Sequence, residues 1–421
     1  DTLRVGLCPD GIGLFFAALA SVMWIFTVIY AFEYMKGKEH LNMFFAFFTA
    51  AYGATLGIAM SADLLTMYFF YEILTLVTLP LVIQPMTKKA IRAGRKYLYM
   101  SLGGSAFAFI GLVILIHQTG QAEFVSGGIY DNALDTTGLV AYLLTFLGFG
   151  VKSAVFPLHI WLPAASVAPT PVTALLHAVA VVKSGVFAII RVTYYCYGVE
   201  AIRGTWAQYT ALIIAIITIV YGSAMALRER HFKRRLAYST VSNISYIVFG
   251  AMLLSEAGLA AALMHFLFHS VTKIAAFMNA GAVIETTERE YIFRLDGLGR
   301  KMPVTFGCFT VSALSLTGIP LFCGFFSKWN LCTAALADGG AYGIVGVAAL
   351  LISALFTAIY MFSIVIRAFF RQGEELEDVH EANWRMSWIA LPLALFMALA
   401  FILMPQLSQY FNSIASAAFA A

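Results

Sequence analysis

The chain has 421 residues, of which 61% are hydrophobic and 11% charged, against roughly 25% charged in a soluble globular domain. Its apolar residues come in runs of about 20, the length that crosses a bilayer core. The net charge of +4 excludes little, because in a membrane protein the placement of charge matters more than its sum. Runs this long and uniform exclude the alternating strands of a membrane barrel. That leaves helices, which satisfy their own backbone in lipid.

The pattern predicts an all-α, polytopic membrane protein of twelve spans. They cover residues 11–34, 42–60, 63–84, 98–117, 138–160, 171–193, 207–227, 236–255, 257–284, 303–333, 341–370 and 386–410. No soluble domain interrupts them. The five cysteines (Cys8, Cys196, Cys308, Cys323 and Cys332) contain no C-x-x-C pair and no zinc-spaced Cys/His cluster. They read as small packing residues, and no metal or other cofactor is expected on this chain.

Charge tests the topology. An even number of spans puts both termini on one side, A, whose loops hold Arg4, Arg191 and Arg203. Loops on the other side, B, hold nineteen Lys and Arg. The positive-inside rule then makes side B cytoplasmic and both termini external. Of the 26 Lys and Arg, four remain, and all lie inside predicted spans: Lys152, Lys183, Lys273 and Lys328. Arginine stays charged, whereas a buried lysine can give up its proton. A charge at the bilayer centre costs at least ~2.5–3.5 kcal/mol. Four lysines and Glu72 together would cost on the order of 12–17 kcal/mol unless paired or hydrated. Intramembrane charges of this kind face a protein interior or a wet cavity and mark ion paths; the alternative is a set of structural ion pairs.

Glu72 lies mid-span in Tyr68-Phe-Phe-Tyr-Glu72, and we expect it to pair with Lys152. The fifth and sixth spans carry Lys152, Pro157, His159 and Pro163, then His177 and Lys183. Pro157 removes a backbone donor inside a span, so the helix should break close to Lys152, with freed carbonyls lining water or protein. Lys152 and His159, seven apart, would share one helix face. The ninth span places His265, His269 and Lys273 at i, i+4 and i+8, a single stripe. Histidine can accept and donate through different nitrogens, so the stripe reads as a proton relay. Histidines bonded to neighbouring helices, or a metal pair, are the alternatives. The tenth span carries Pro320 before Lys328, a second break beside a lysine. The fifth and tenth spans run in opposite directions. Broken helices in corresponding places of two five-span units indicate an inverted repeat with the site at its interface.

These residues resemble the antiporter-like subunits shared by respiratory complex I, membrane-bound hydrogenases and Mrp-type cation/proton antiporters. The similarity is carried by Lys152-Ser-Ala…Pro157-Leu-His159-Ile-Trp161-Leu-Pro163…Pro169-Thr-Pro171…His177…Lys183-Ser-Gly185, by Leu236-Ala-Tyr-Ser-Thr240, by His269…Lys273 and by Gly324-Phe-Phe-Ser-Lys328. Lysine at position 328, where some members have glutamate, and the chain's end soon after the twelfth span look most like the D-type Mrp subunit or its hydrogenase and complex I relatives. The resemblance implies fourteen helices with two inverted five-helix repeats, so two helices would precede Asp1. The expected division is 1–41 as an N-terminal helix region, 42–193 and 207–370 as the repeats, and 386–421 as a C-terminal helix. It also implies that Glu72 pairs with Lys152, that Lys183 and Lys273 form the central relay, and that Lys328 serves the exit.

The expected function is proton translocation within a redox-driven, multi-subunit pump. Other membrane subunits would be the partners, and redox energy would come from one of them. The expected location is a bacterial or archaeal cytoplasmic membrane. A sodium/proton exchange module, or a structural anchor for a redox arm, is the alternative.

Overall fold

The computed structural model describes residues 5–130, 133–337, 340–373 and 377–420. Asp1, Arg4 and the last residue of the 386–421 region lie outside them. Among the described residues the chain is helical, with only isolated bridges outside the helices. Nine helices or helix runs among them are long and apolar enough to cross a membrane.

The first four helices are α1 (Gly11–Tyr34), α2 (Leu41–Ala59), α3 (Leu64–Ile83) and α4 (Lys88–Thr119). A side-chain oxygen starts three of them. Asp10 accepts from Gly13, Asp63 from Thr66 and Thr87 from Ala90, which satisfies donors that a helix leaves unpaired. α4 begins ten residues before the predicted span. Lys88 to Lys96 are therefore helical rather than looped, with the charged end projecting from an apolar rod.

α5 (Thr136–Lys152) stops at Lys152 itself, followed by a turn with Ala154 at φ 55°. Residues 158–167 continue as short 3-10 and α turns, and Pro163 sits inside one of them. α6 (Thr170–Ala178) and α7 (Val181–Arg191) flank a second interruption at Val179 and Ala180. A π-turn over Val192–Tyr197 ends that run. α8 (Trp206–Arg228) and α9 (Phe232–Met252) precede α10 (Glu256–Thr287), which has 32 residues and no break. α11 (Pro303–Thr317) and α12 (Cys323–Ala337) are separated by a turn holding Pro320. α13 (Ala341–Phe370), α14 (Leu391–Leu399) and α15 (Met404–Phe419) complete the chain.

α10 is the axle. It packs against α1, α6, α9, α11, α12 and α15, and its most apolar stretch is 94% buried. The spans around it show lipid-type exposure instead: α13 leaves Leu351, Leu355 and Ile366 outward. α4 and α5 meet at glycines, where a Cβ on Gly148 would collide with the Ala108 amide nitrogen.

Three placements differ from expectation. Arg191, assigned above to a side A loop, ends α7 and is 1% exposed. It forms a two-pronged ion pair with Asp10 at the start of α1. α9 begins at Phe232 rather than 236, so Lys233 and Arg235 are also buried within a helix. The four lysines are thus not the only basic groups outside the loops. The third is His159: because α5 ends at Lys152, the two do not share a helix face.

Candidate functional site: a buried lysine–histidine axis

Lys152 occupies the last turn of α5, where the helix dipole favours a cation. Its ammonium donates to the Tyr71 carbonyl of α3 and lies 3.3 Å from the centre of the Tyr71 ring. Glu72, half-buried, instead accepts from the Ser105 hydroxyl of α4. The expected direct pairing of Glu72 with Lys152 is therefore absent. One turn of α3 directs the Tyr71 carbonyl at the lysine and sends the Glu72 side chain toward α4. The carboxylate remains within electrostatic reach of Lys152.

Lys183, in the first turn of α7, is fully buried, and its ammonium finds no hydrogen-bond partner among the described residues. It stands 4.3 Å from the ring centre of Phe266 on α10. Just before α7, at 179–180, the chain departs from the helix without a proline or glycine. The Leu175 carbonyl there accepts from both Val179 and Ala180. His177 stands just ahead of this break, stacked on Phe277 of α10 with ring centroids 4.7 Å apart. Both of its ring nitrogens lack a partner among the described residues.

On α10 the stripe read from the sequence is intact. His265 and His269 rings are 6.0 Å apart, one helical step of four residues. His265 Nδ1 bonds the Ser327 hydroxyl at 2.9 Å, which ties the stripe to α12 one residue before Lys328. His269 has no partner on either nitrogen among the described residues. It lies within electrostatic reach of Lys183, Lys273, His265 and Lys328, and so is the hub of the axis. Lys273 donates to the Leu236 carbonyl at 3.0 Å.

Lys328 shows what the α11–α12 break is for. Its ammonium donates to the Leu316 carbonyl and, at 3.3 Å, to that of Thr317. These are the last carbonyls of α11, left without intrahelical donors by the turn. The break supplies acceptors to the lysine in place of a carboxylate.

Of the remaining sequence-predicted residues, Pro320 lies in the α11–α12 turn, and Pro157 follows the end of α5. Pro163 breaks nothing by itself, since it is inside a short turn of helix. His159 stands apart from the central groups, packed on Tyr221 at 4.8 Å between ring centroids. Sequence reasoning missed Tyr71, Ser105 and Ser327, single polar groups that only the packing makes relevant. It also missed Asn279 of α10, buried with neither side-chain atom bonded among the described residues.

Orphaned polar atoms at this density are costly in an apolar interior. Buried polar groups that lack protein partners bond water. The arrangement is chemically suited to carrying a proton between groups that can each hold one, through intervening water. Among the described residues no carboxylate lies beside the two histidines of α10 to complete a metal site, and no group of three His, Cys, Asp or Glu able to hold a metal occurs.

The family described as NADH:quinone oxidoreductase/Mrp antiporter, transmembrane, matches residues 61–357, which hold every group of the axis. NADH-quinone oxidoreductase subunit N of Desulforudis audaxviator is 33% identical over 360 residues, covering 84% of this chain and 70% of that protein. The D-type Na(+)/H(+) antiporter subunit of Alkalihalophilus pseudofirmus is 28% identical over 399 residues, 94% of this chain and 79% of the relative. The chloroplastic NAD(P)H-quinone oxidoreductase subunit 5 of Glycine max is 31% identical over 400 residues, and the chain spans about half (51%) of its length. In the solved structure of the membrane-bound sulfane sulfur reductase, an archaeal respiratory membrane complex, one chain shares the fold at a TM-score of 0.90. Its identity is 24%, with 99% of this chain and 84% of that one covered. Fold, axis and sequence agree: the chain belongs to the NADH:quinone oxidoreductase/Mrp antiporter transmembrane family.

Proposed function

We propose that this chain is a proton-translocating, antiporter-like subunit, in which protons cross the membrane along Lys152, Lys183, His269, Lys273 and Lys328. The observation that carries this reading is the run of fully buried titratable groups whose nitrogens have no partner among the described residues: Lys183, His177 and His269. A structural network would bond them to one another. Titratable groups left to water can relay a proton. Glu72 sets the electrostatic environment of Lys152 from the α4 side, and Lys328, on the freed carbonyls of α11, ends the path.

The breaks after Lys152 and before Lys328 support two inverted five-helix repeats over 42–193 and 207–370, with one helix before and one after. Twelve crossings follow when α5 with residues 158–167, α6 with α7, α11 with α12, and α14 with α15 each count as one. Side B, with the basic loops, is then cytoplasmic, the termini are outside, and the membrane is the cytoplasmic membrane of a bacterium or archaeon. The chain works inside a multi-subunit respiratory assembly, and redox energy reaches it from a partner. The similarity to sodium/proton antiporter subunits favours a second reading, exchange of sodium for protons.

The test is Lys273→Ala in the intact assembly, with proton translocation measured in membrane vesicles at matched assembly levels. A loss of tenfold or more is expected. Translocation at the wild-type rate refutes the path. Repeating the measurement with and without sodium separates the two readings.

A further inference from the structure

A polar cavity of about 460 Å³ opens on side B between the α1–α2 turn, the α3–α4 turn and the segment before α6. Its mouth holds Lys38, Met86 and Glu290, and its floor holds Tyr34, Pro169 and Lys233. Lys38 bonds Glu285 at 2.8 Å and covers the Tyr34 ring at 3.7 Å. Lys233 is 7% exposed, and its ammonium is held by the Ala168 carbonyl at 2.9 Å. Glu290 belongs to the mouth, and Glu285 is held by Lys38. Among the described residues the lysine at the floor has no ion pair.

Below this floor the polar groups continue. Thr170, the first residue of α6, is buried with its hydroxyl unpartnered among the described residues. A Cβ on Gly281 of α10 would collide with the Thr170 side chain, so α6 and α10 touch there. One turn further along α10, Phe277 stacks on His177. His177 lies within electrostatic reach of both Lys233 and Lys273. Cavity, Lys233, Thr170, His177 and Lys273 therefore form one sequence of polar groups, descending the α6–α10 seam.

We infer that Lys233 is the proton-loading group of an entrance on side B, and that this entrance feeds the axis at His177 and Lys273. The inference rests on the proposed proton path and adds its point of entry. In each cycle the Lys233 ammonium releases one proton, through water, to a His177 imidazole nitrogen. The resulting amine regains a proton from water in the cavity. The Ala168 carbonyl keeps the amine at the floor in both states.

Lys233→Arg tests this, because arginine keeps the charge and can bond the same carbonyl but does not give up its proton. In vesicles containing the intact assembly, proton translocation driven by an imposed pH difference should slow at least tenfold, with assembly unchanged. A rate within twofold of wild type overturns the entrance. Should the variant fail to assemble, Ile284→Cys on the cavity wall decides: the same vesicles are compared before and after a membrane-impermeant thiol reagent is added from side B. Labelling that slows transport tenfold supports the entrance. Complete labelling without slowing, or no labelling from side B, overturns it. The two proposals fail separately: full activity in Lys273→Ala removes the path itself, whereas full activity in Lys233→Arg with an inactive Lys273→Ala removes only the entrance.

Discussion

The ion pair between Arg191 and Asp10 should respond unequally to loss of its two members. The Arg191 side chain is 2% exposed and that of Asp10 is 35% exposed. Asp10→Asn preserves the cap on Gly13, since asparagine caps as well as aspartate, but strands a guanidinium in the interior. Breaking a buried pair by removing one partner costs about 3–5 kcal/mol. The rings of Phe124, Phe187 and Tyr195, 4.7 to 5.1 Å from the guanidinium carbon, offset part of that, which puts the variant near ~3 kcal/mol. Arg191→Met leaves a carboxylate that already touches solvent and can rehydrate. Its cost falls toward the exposed-pair range of about 1 kcal/mol. Unfolding of the purified chain in mixed micelles under rising dodecyl sulfate, followed by fluorescence of its six tryptophans, gives the comparison. Asp10→Asn should be less stable than Arg191→Met by ~2 kcal/mol, and the double variant should resemble Arg191→Met. If Arg191→Met is the less stable of the two, or if the double variant costs the sum, the reasoning from unequal burial is wrong.

His231, in the turn before α9, is held neutral: burial pushes its imidazole from 6.5 down to about 4, with Arg234, Lys233 and Lys89 adding to the effect and Glu290 opposing it. Between those values the unfolded chain binds the proton and the folded chain does not, so stability should fall as pH drops from about 6.5 to 4. His231→Gln should flatten that part of a stability–pH profile, and an unchanged slope would assign the acid sensitivity elsewhere. Gly148→Val drives a side chain into the α4 backbone and should cost about 1–3 kcal/mol or more. Gly53→Val, with nothing within 4 Å of its Cβ, should stay within about 0.5 kcal/mol of wild type; equal effects in an unfolding assay would deny the close α4–α5 approach. Lys183→Met removes a buried ammonium that has no partner among the described residues, so it should raise the unfolding midpoint while abolishing proton translocation in vesicles. Lowered stability would mean that the lysine is structurally engaged.

Much of this was legible in the sequence, for physical reasons that differ from place to place. The α10 stripe is a matter of helical period alone, so His265, His269 and Lys273 fell where i, i+4 and i+8 put them. Pro320 announced its break because a missing donor is visible in the letters. The break at Val179 and Ala180 was not visible, because neither residue is a proline or a glycine and nothing in the letters marks it. Arg191 was misplaced because a charge near the end of an apolar run reads as a loop residue unless its counter-ion is known. Asp10 lies 181 positions away, beyond any local pattern. Lys233 and Arg235 failed similarly: a basic cluster looks like a loop, yet here the helix starts inside it. Opposite signs near one another predicted Glu72 with Lys152, but the Tyr71 carbonyl on the intervening turn of α3 took the ammonium first.

The unbroken course of α10 has a mechanical meaning. At 1.5 Å per residue its 32 residues extend about 48 Å, well past a hydrocarbon core of roughly 30 Å. Both ends therefore reach the aqueous faces, where neighbouring chains can press on them. A continuous helix has no slack to absorb such a push. A displacement at one end moves His265, His269 and Lys273 together, like notches on a key. The interrupted helices around it act as the tumblers that meet those notches or miss them.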